Sequence, residues 1–141
     1  MGFWRELFGA RGPASQEAVL HDPSDATEMV RVVGESHYQP ALRAICGSER
    51  DEDIAYDCIA ALVPEPTNPH DRHAVMVQID GQRVGYLSRQ DARIYREMIG
   101  SVMSNGKFLT ARARIAGRGP ERGSRTTNVG VFLRLPPPAH Q

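Results

Sequence analysis

Asp80-Gly81 stands between two short runs of β-forming residues, an arrangement that dictates a tight hairpin. Val75, Val77 and Ile79 alternate with Met76 and Gln78 before it, and Arg83-Val84-Gly85-Tyr86-Leu87 follows it. A two-residue hairpin turn needs positive φ, which Asp-Gly tolerates. Other segments carry the same signal. Met29–Gly34 is rich in β-branched residues and ends at a glycine, so it reads as a strand. Ile54–Val63 is too continuously apolar for a surface strand and reads as a buried one, stopped by Pro64. Thr110–Ala116 and Asn128–Leu135 alternate again, with Ala111, Ala113, Ile115, Val129, Val131, Leu133 and Leu135 turned inward. Two segments switch to a helical period. Tyr38, Leu42 and Ile45 define a short helix over Ser36–Ile45, with Gly47 at its C′ position. Ala92, Tyr95, Ile99 and Val102 form the stripe of a longer helix. Ser88 is its N-cap, Asp91 follows three residues on, and Asn105-Gly106 stops it. The order is β-α-β-β-β-α-β-β, a mainly β (α+β) class. It predicts a small curved β-barrel, partly open, with two helices covering its ends.

A chain of 141 residues, 40% of them hydrophobic and 24% charged, can bury one such core. No apolar run approaches the ~18–20 residues of a membrane span. The start carries Arg5 and Glu6 and lacks the apolar core of a signal peptide. The expectation is a cytoplasmic protein with one domain over 27–136. Residues 1–9 form a short amphipathic segment, 10–26 a linker and 137–141 a proline-rich tail. In the first segment Phe3, Trp4, Leu7 and Phe8 share one helical face, which offers a docking surface for a protein or a lipid surface. Residues 1–70 hold 5 arginines against 12 acids, and residues 71–141 hold 12 basic residues against 5 acids. The neutral total therefore conceals a basic half. Its cations are almost all arginine, the planar, bidentate donor suited to phosphate.

The chain carries few signs of catalysis. The chain has no phosphate-binding G-x-x-x-x-G-K-[ST] loop, no G-x-G-x-x-G, no H-E-x-x-H and no G-x-S-x-G. Cys46 and Cys58 are too far apart for a redox C-x-x-C and read as free thiols. His70-Asp71-Arg72-His73 gathers possible ligands or hydrolytic groups, but Arg72 opposes a cation and no third and fourth ligands are evident. The expectation is a non-catalytic protein with no metal and no cofactor. The stretch reads better as a rigid loop. Pro64, Pro66 and Pro69 each restrict the residue before them, and Asn68 and Asp71 are turn formers that bond nearby amides.

Leu62-Val63-Pro64-Glu65-Pro66-Thr67-Asn68-Pro69-His70-Asp71-Arg72-His73-Ala74-Val75-Met76-Val77 resembles the signature of the HIRAN domain, N-P-Y-D-x-N-A-[IV]-x-V. Gly81 and Val84-Gly85-Tyr86-Leu87-Ser88-Arg89, with Ala92 beyond, resemble its second motif. Val32-Val33-Gly34-Glu35-Ser36-His37-Tyr38 is similar to its entry strand, which ends in paired aromatics. The resemblance spans Met29 to Leu135. It implies a modified OB-like or SH3-like β-barrel that binds single-stranded DNA and, in fork-remodelling members, captures a 3′-hydroxyl end. It implies that Asp71 accepts the terminal hydroxyl's hydrogen bond while Asn68 and His70 shape the pocket. His37 and Tyr38 would offer faces to terminal bases, and Tyr86 and Arg89 would meet base or phosphate. Arg93, Arg112 and Arg114 would follow the backbone. Carboxylates accept from a hydroxyl and repel a phosphate, so such a pocket senses chain-end chemistry. The function implied is 3′-end recognition in DNA repair or replication-fork processing. The alternative is an adaptor that keeps the barrel and docks through Phe3, Trp4, Leu7 and Phe8. Three histidines depart from the family pattern: His70 replaces the signature tyrosine, His73 the second asparagine, and His37 one entry aromatic. Histidine titrates near pH ~6.5 in water, so DNA binding is expected to strengthen in acid.

Overall fold

Asp80 and Gly81 hold φ of 52° and 76°, so the hairpin turn forms as its residues demand. The computed structural model describes residues 17–20, 28–47, 54–117 and 129–137. Its strands are β1 (Glu17–Leu20), β2 (Glu28–Arg31), β3 (Ile54–Pro64), β4 (Val75–Ile79), β5 (Gln82–Tyr86), β6 (Lys107–Gly117) and β7 (Gly130–Leu135). Its helices are α1 (Gln39–Cys46) and α2 (Arg89–Ser104), and a 3-10 turn, Glu35–Tyr38, leads into α1. From β2 onward this is the expected order. The helix expected from Ser36 is split. Residues 35–38 are the 3-10 turn, and α1 begins at Gln39 with Pro40 in its first turn. Gly47 ends it with φ 63°, as a C′ glycine does. Ser88 Oγ accepts the Asp91 amide at 3.0 Å, which caps α2 as its sequence predicts.

The linker expected over 10–26 is corrected at Glu17–Leu20, which form β1 and pair in parallel with Lys107–Thr110 of β6. A four-residue strand is too short to show a period, and its partner is distant in sequence. β6 also begins at Lys107 rather than Thr110, which gives β1 an edge to join. Segments 1–9 and 138–141, and the remainder of the linker, lie outside the described residues.

The main sheet path is β2-β7-β6-β3-β4-β5. Its strand pairs are antiparallel. β2 runs on past Arg31. Val32 donates to the Val131 carbonyl at 2.9 Å, and Val33 exchanges two backbone bonds with Tyr86, at 2.8 and 2.9 Å. The first and last strands of the path therefore meet at one bridge rather than a ladder. Inside the curve lie Val32, Leu42, Leu62, Val77, Ile79, Val84, Ile115, Val131, Leu133 and Leu135, all without solvent exposure. Burying each such side chain contributes about 1.5–3 kcal/mol. α2 adds Ala92, Tyr95 and Ile99 from its predicted stripe, and the Tyr95 hydroxyl donates to the Pro136 carbonyl at 2.8 Å. Among the described residues no helix is long and apolar enough to cross a membrane.

Gln39 fastens α1 to the sheet where no strand does. Its amide donates to the carbonyls of Val129 (3.0 Å) and Glu35 (2.9 Å), and its Oε1 accepts the Val129 amide at 2.9 Å. Val129 is buried, so its backbone has no water to turn to. Gln39→Ala is expected to lower unfolding free energy by about 1–3 kcal/mol, the cost of orphaned buried polar groups. Urea denaturation checks this, and a midpoint equal to wild type would remove Gln39 from that role.

Candidate functional site

The ten residues between β3 and β4 are held by hydrogen bonds of their own. Glu65 donates its amide to the Ala74 carbonyl at 2.9 Å, which closes the neck of the loop. Asn68 Oδ1 then accepts the amides of His70 (2.8 Å) and Asp71 (3.2 Å), the turn chemistry its sequence announces. Asp71 Oδ1 accepts the His73 amide at 2.9 Å, and the Asp71 carbonyl accepts that of Ala74 at 3.1 Å. One carboxylate oxygen of Asp71 is thus spent on the loop. The other, Oδ2, lies 3.8 Å from Nε of Arg89 at the start of α2, and the side chain keeps 25% of its surface open.

Glu65 is the hub of the site. Its Oε1 accepts from Asn68 Nδ2 at 3.0 Å and from the Tyr86 hydroxyl at 2.8 Å. Its Oε2 accepts from Arg83 at 3.2 Å. Arg83 stands 5.9 Å from the centre of the Tyr86 ring and donates to the Met76 sulfur at 3.2 Å. The nearby Tyr38 side chain is the largest of the effects that hold the Arg83 pKa above the ordinary value. Burial first, and then the bond to Glu65 and its charge, push the Tyr86 hydroxyl up to about 12. Tyr86 therefore stays a neutral donor.

Arg83 and Tyr86 meet because β5 is bulged. Gln78 faces Arg83, but Val77 faces Gly85, which leaves Val84 as the extra residue. Simple alternation would put residues 83 and 86 on opposite faces. Gly85 makes the bulge possible, with φ 154° and no side chain where β2 passes.

The structure joins the seven residues expected to form the pocket into one chain of contacts. His37 is exposed beside Tyr38, with ring centres 6.4 Å apart. Tyr38 leads through Arg83 to Tyr86 and Glu65, Glu65 to Asn68, and Asn68 to the backbone of His70 and Asp71. Asp71 then faces Arg89. The His70 residue is exposed at the loop's tip. Arg93 is exposed one turn further along α2. Arg112 and Arg114, expected to follow a DNA backbone, lie apart from this surface. They pair with Ile59 and Asp57 on β3, roughly 17–24 Å along the strand from Pro64 at the neck of the loop. Glu65 and Arg83 are the members sequence reasoning missed. The spacing Glu65-x-x-Asn68 was a legible sign for the first, whereas the second depends on the bulge.

Chemically, the site offers a partly exposed carboxylate beside Arg89, aromatic faces at residues 37, 38 and 86, and guanidinium groups at 83 and 89. That set accepts a hydroxyl, stacks on flat rings and attracts phosphate. The family described as the HIRAN domain matches residues 28–135 of the chain. The chain is also similar to a solved structure, the crystal structure of the HIRAN domain of human HLTF, at 18% identity and a TM-score of 0.39. That match covers 79% of this chain and 78% of the other. No curated protein matches the chain.

Proposed function

Because the chain belongs to the HIRAN domain family, we propose that it is a DNA-binding module whose Asp71 loop holds the 3′-hydroxyl end of a single strand. Family membership supports the DNA-binding part. The observation that carries the end-specific part is the position of Asp71: one carboxylate oxygen fixes the loop while the other is engaged only by a long 3.8 Å ion pair with Arg89. An oxygen so placed accepts from a terminal hydroxyl and repels a terminal phosphate. His37, Tyr38 and Tyr86 receive the last bases by stacking, which reads no sequence and contributes ~1–3 kcal/mol per base. Arg89 serves the nearby phosphate. The reading is of a non-catalytic cytoplasmic module for repair or fork processing, where free 3′ ends arise.

Arg89 supplies a test apart from end chemistry. Its side chain is 81% exposed, so its loss leaves the fold intact. Arg89→Ala is expected to weaken single-strand binding and lower the slope of log K against log salt by ~0.7, one phosphate's worth on a single strand. Anisotropy titrations at several salt concentrations measure it. An unchanged slope would take Arg89 off the backbone path.

A further inference from the structure

A groove of about 780 Å³ opens on the outer face of the sheet, where β2, β7, β6 and β3 lie side by side. Strand register sets its side chains in two rows. In one, Phe132 lies between Arg31 on β2 and Arg114 on β6, and Arg114 faces Asp57 on β3. In the other, Met29 faces Arg134 and Ile59 faces Arg112. Neighbouring strands are ~4.8 Å apart and the two rows ~7 Å apart, so these groups crowd one small surface.

Charge on this face is unbalanced. Arg114 is matched by Asp57 through bonds of 2.7 and 3.2 Å, and its guanidinium holds that carboxyl below the usual carboxylate range. Arg31 reaches Glu35 at 3.6 Å and stands 5.8 Å from the centre of the Phe132 ring. Among the described residues, Arg112 and Arg134 have no ion-pair partner. Two like charges on one face are relieved by an anion arriving between them. The floor under that anion is apolar: Phe132, Ile59 and Met29, the last 58% exposed. Cations beside an aromatic floor are the combination that holds a single strand, with phosphates on the arginines and a base on the ring.

We propose that this face is a second nucleic-acid contact, with the phosphates of a single strand on Arg112 and Arg134 and a base against Phe132. None of the residues lining it belongs to the Asp71 loop, so it operates whether or not that loop captures ends. One domain then holds two strands, or two stretches of one strand.

The test uses the full chain and two labelled oligothymidines. A 15-mer ending in 3′-phosphate reports the outer face, and a trimer ending in 3′-hydroxyl reports the Asp71 loop. Arg112→Glu with Arg134→Glu is expected to weaken 15-mer binding at least tenfold and lower its salt slope by ~1.4, two contacts of ~0.7 each. Trimer affinity should stay unchanged, which also shows that the doubly substituted chain is folded. Phe132→Leu, which keeps an apolar side chain, is expected to weaken 15-mer binding several-fold through lost stacking. Unchanged 15-mer affinity and slope in the double variant overturn the proposal. So does a wild-type chain that ignores the 15-mer while binding the trimer. Loss of a poly-glutamate peptide, with the 15-mer retained, would assign the face to an acidic protein segment and overturn it equally. Failure of the trimer alone touches only the end-capture reading.

Discussion

Gly85→Ala lowers the stability of the domain by about 2–6 kcal/mol, the sum of overpacking at ~1–3 kcal/mol and backbone strain at ~1–3 kcal/mol. A methyl group built there overlaps Val32 Cγ1 and meets the Val33 carbonyl oxygen at 2.7 Å. The valine is β-branched and has little rotamer freedom to retreat. The carbonyl is fixed by its bond from the Tyr86 amide, at the bridge that joins β2 to β5. The φ of 154° also disfavours any side chain. At ~4–8 °C per kcal/mol for a domain near 100 residues, the fall in Tm is ~8 °C or more. Gly100 is the internal control: it lies exposed within α2, and an added methyl meets nothing within 4 Å. Gly100→Ala should stabilise by up to ~1 kcal/mol. Thermal melts of both variants decide it. If Gly85→Ala melts with wild type, β2 and β5 do not approach as described.

Glu65→Ala should have the largest effect on binding of any substitution that leaves the fold standing. It strips one acceptor from three donors on two elements: Asn68 in the loop, and Tyr86 and Arg83 on β5. The loop and the aromatic faces then lose their common support, and we expect single-strand affinity to fall tenfold or more. Tyr86 gives a second readout. Its folded-state pKa of about 12 exceeds the ordinary value of 10, so folding favours the protonated phenol. That contribution to stability is complete below pH ~10 and is lost as pH rises through about 12. In Glu65→Ala the hydrogen bond and the repelling charge both vanish, and the Tyr86 transition moves down toward 10 while burial keeps it above. Ultraviolet titration against Tyr86→Phe isolates it. A Tyr86 transition unmoved by loss of Glu65 would contradict the network.

Much of this was legible in the residues. Asp80-Gly81, the Ser88 cap, the Gly47 stop and the inward rows of β6 and β7 follow from local rules, and the structure obeys them. Asn68 and Asp71 announced a self-bonded loop because their side-chain oxygens bond neighbouring amides. What sequence could not give is whatever depends on two distant segments at once. β1 exists because β6 offers an edge far along the chain. Arg83 joins Tyr86 only because a bulge cancels the alternation that would separate them. Arg112 and Arg114 were expected along a DNA backbone, and register with β3 and β7 sets them on the outer face away from the loop, where Asp57 already pairs with Arg114.

Asp71 remains the residue on which the proposed function turns. The most direct measurement compares short single strands ending in 3′-hydroxyl and in 3′-phosphate, bound to the wild-type chain and to Asp71→Ala, by fluorescence anisotropy at two salt concentrations. The wild type is expected to prefer the hydroxyl end, and Asp71→Ala to lose the preference while keeping much of its overall affinity. Equal affinity of the wild type for both ends, or equal losses for both in Asp71→Ala, would contradict the proposed function.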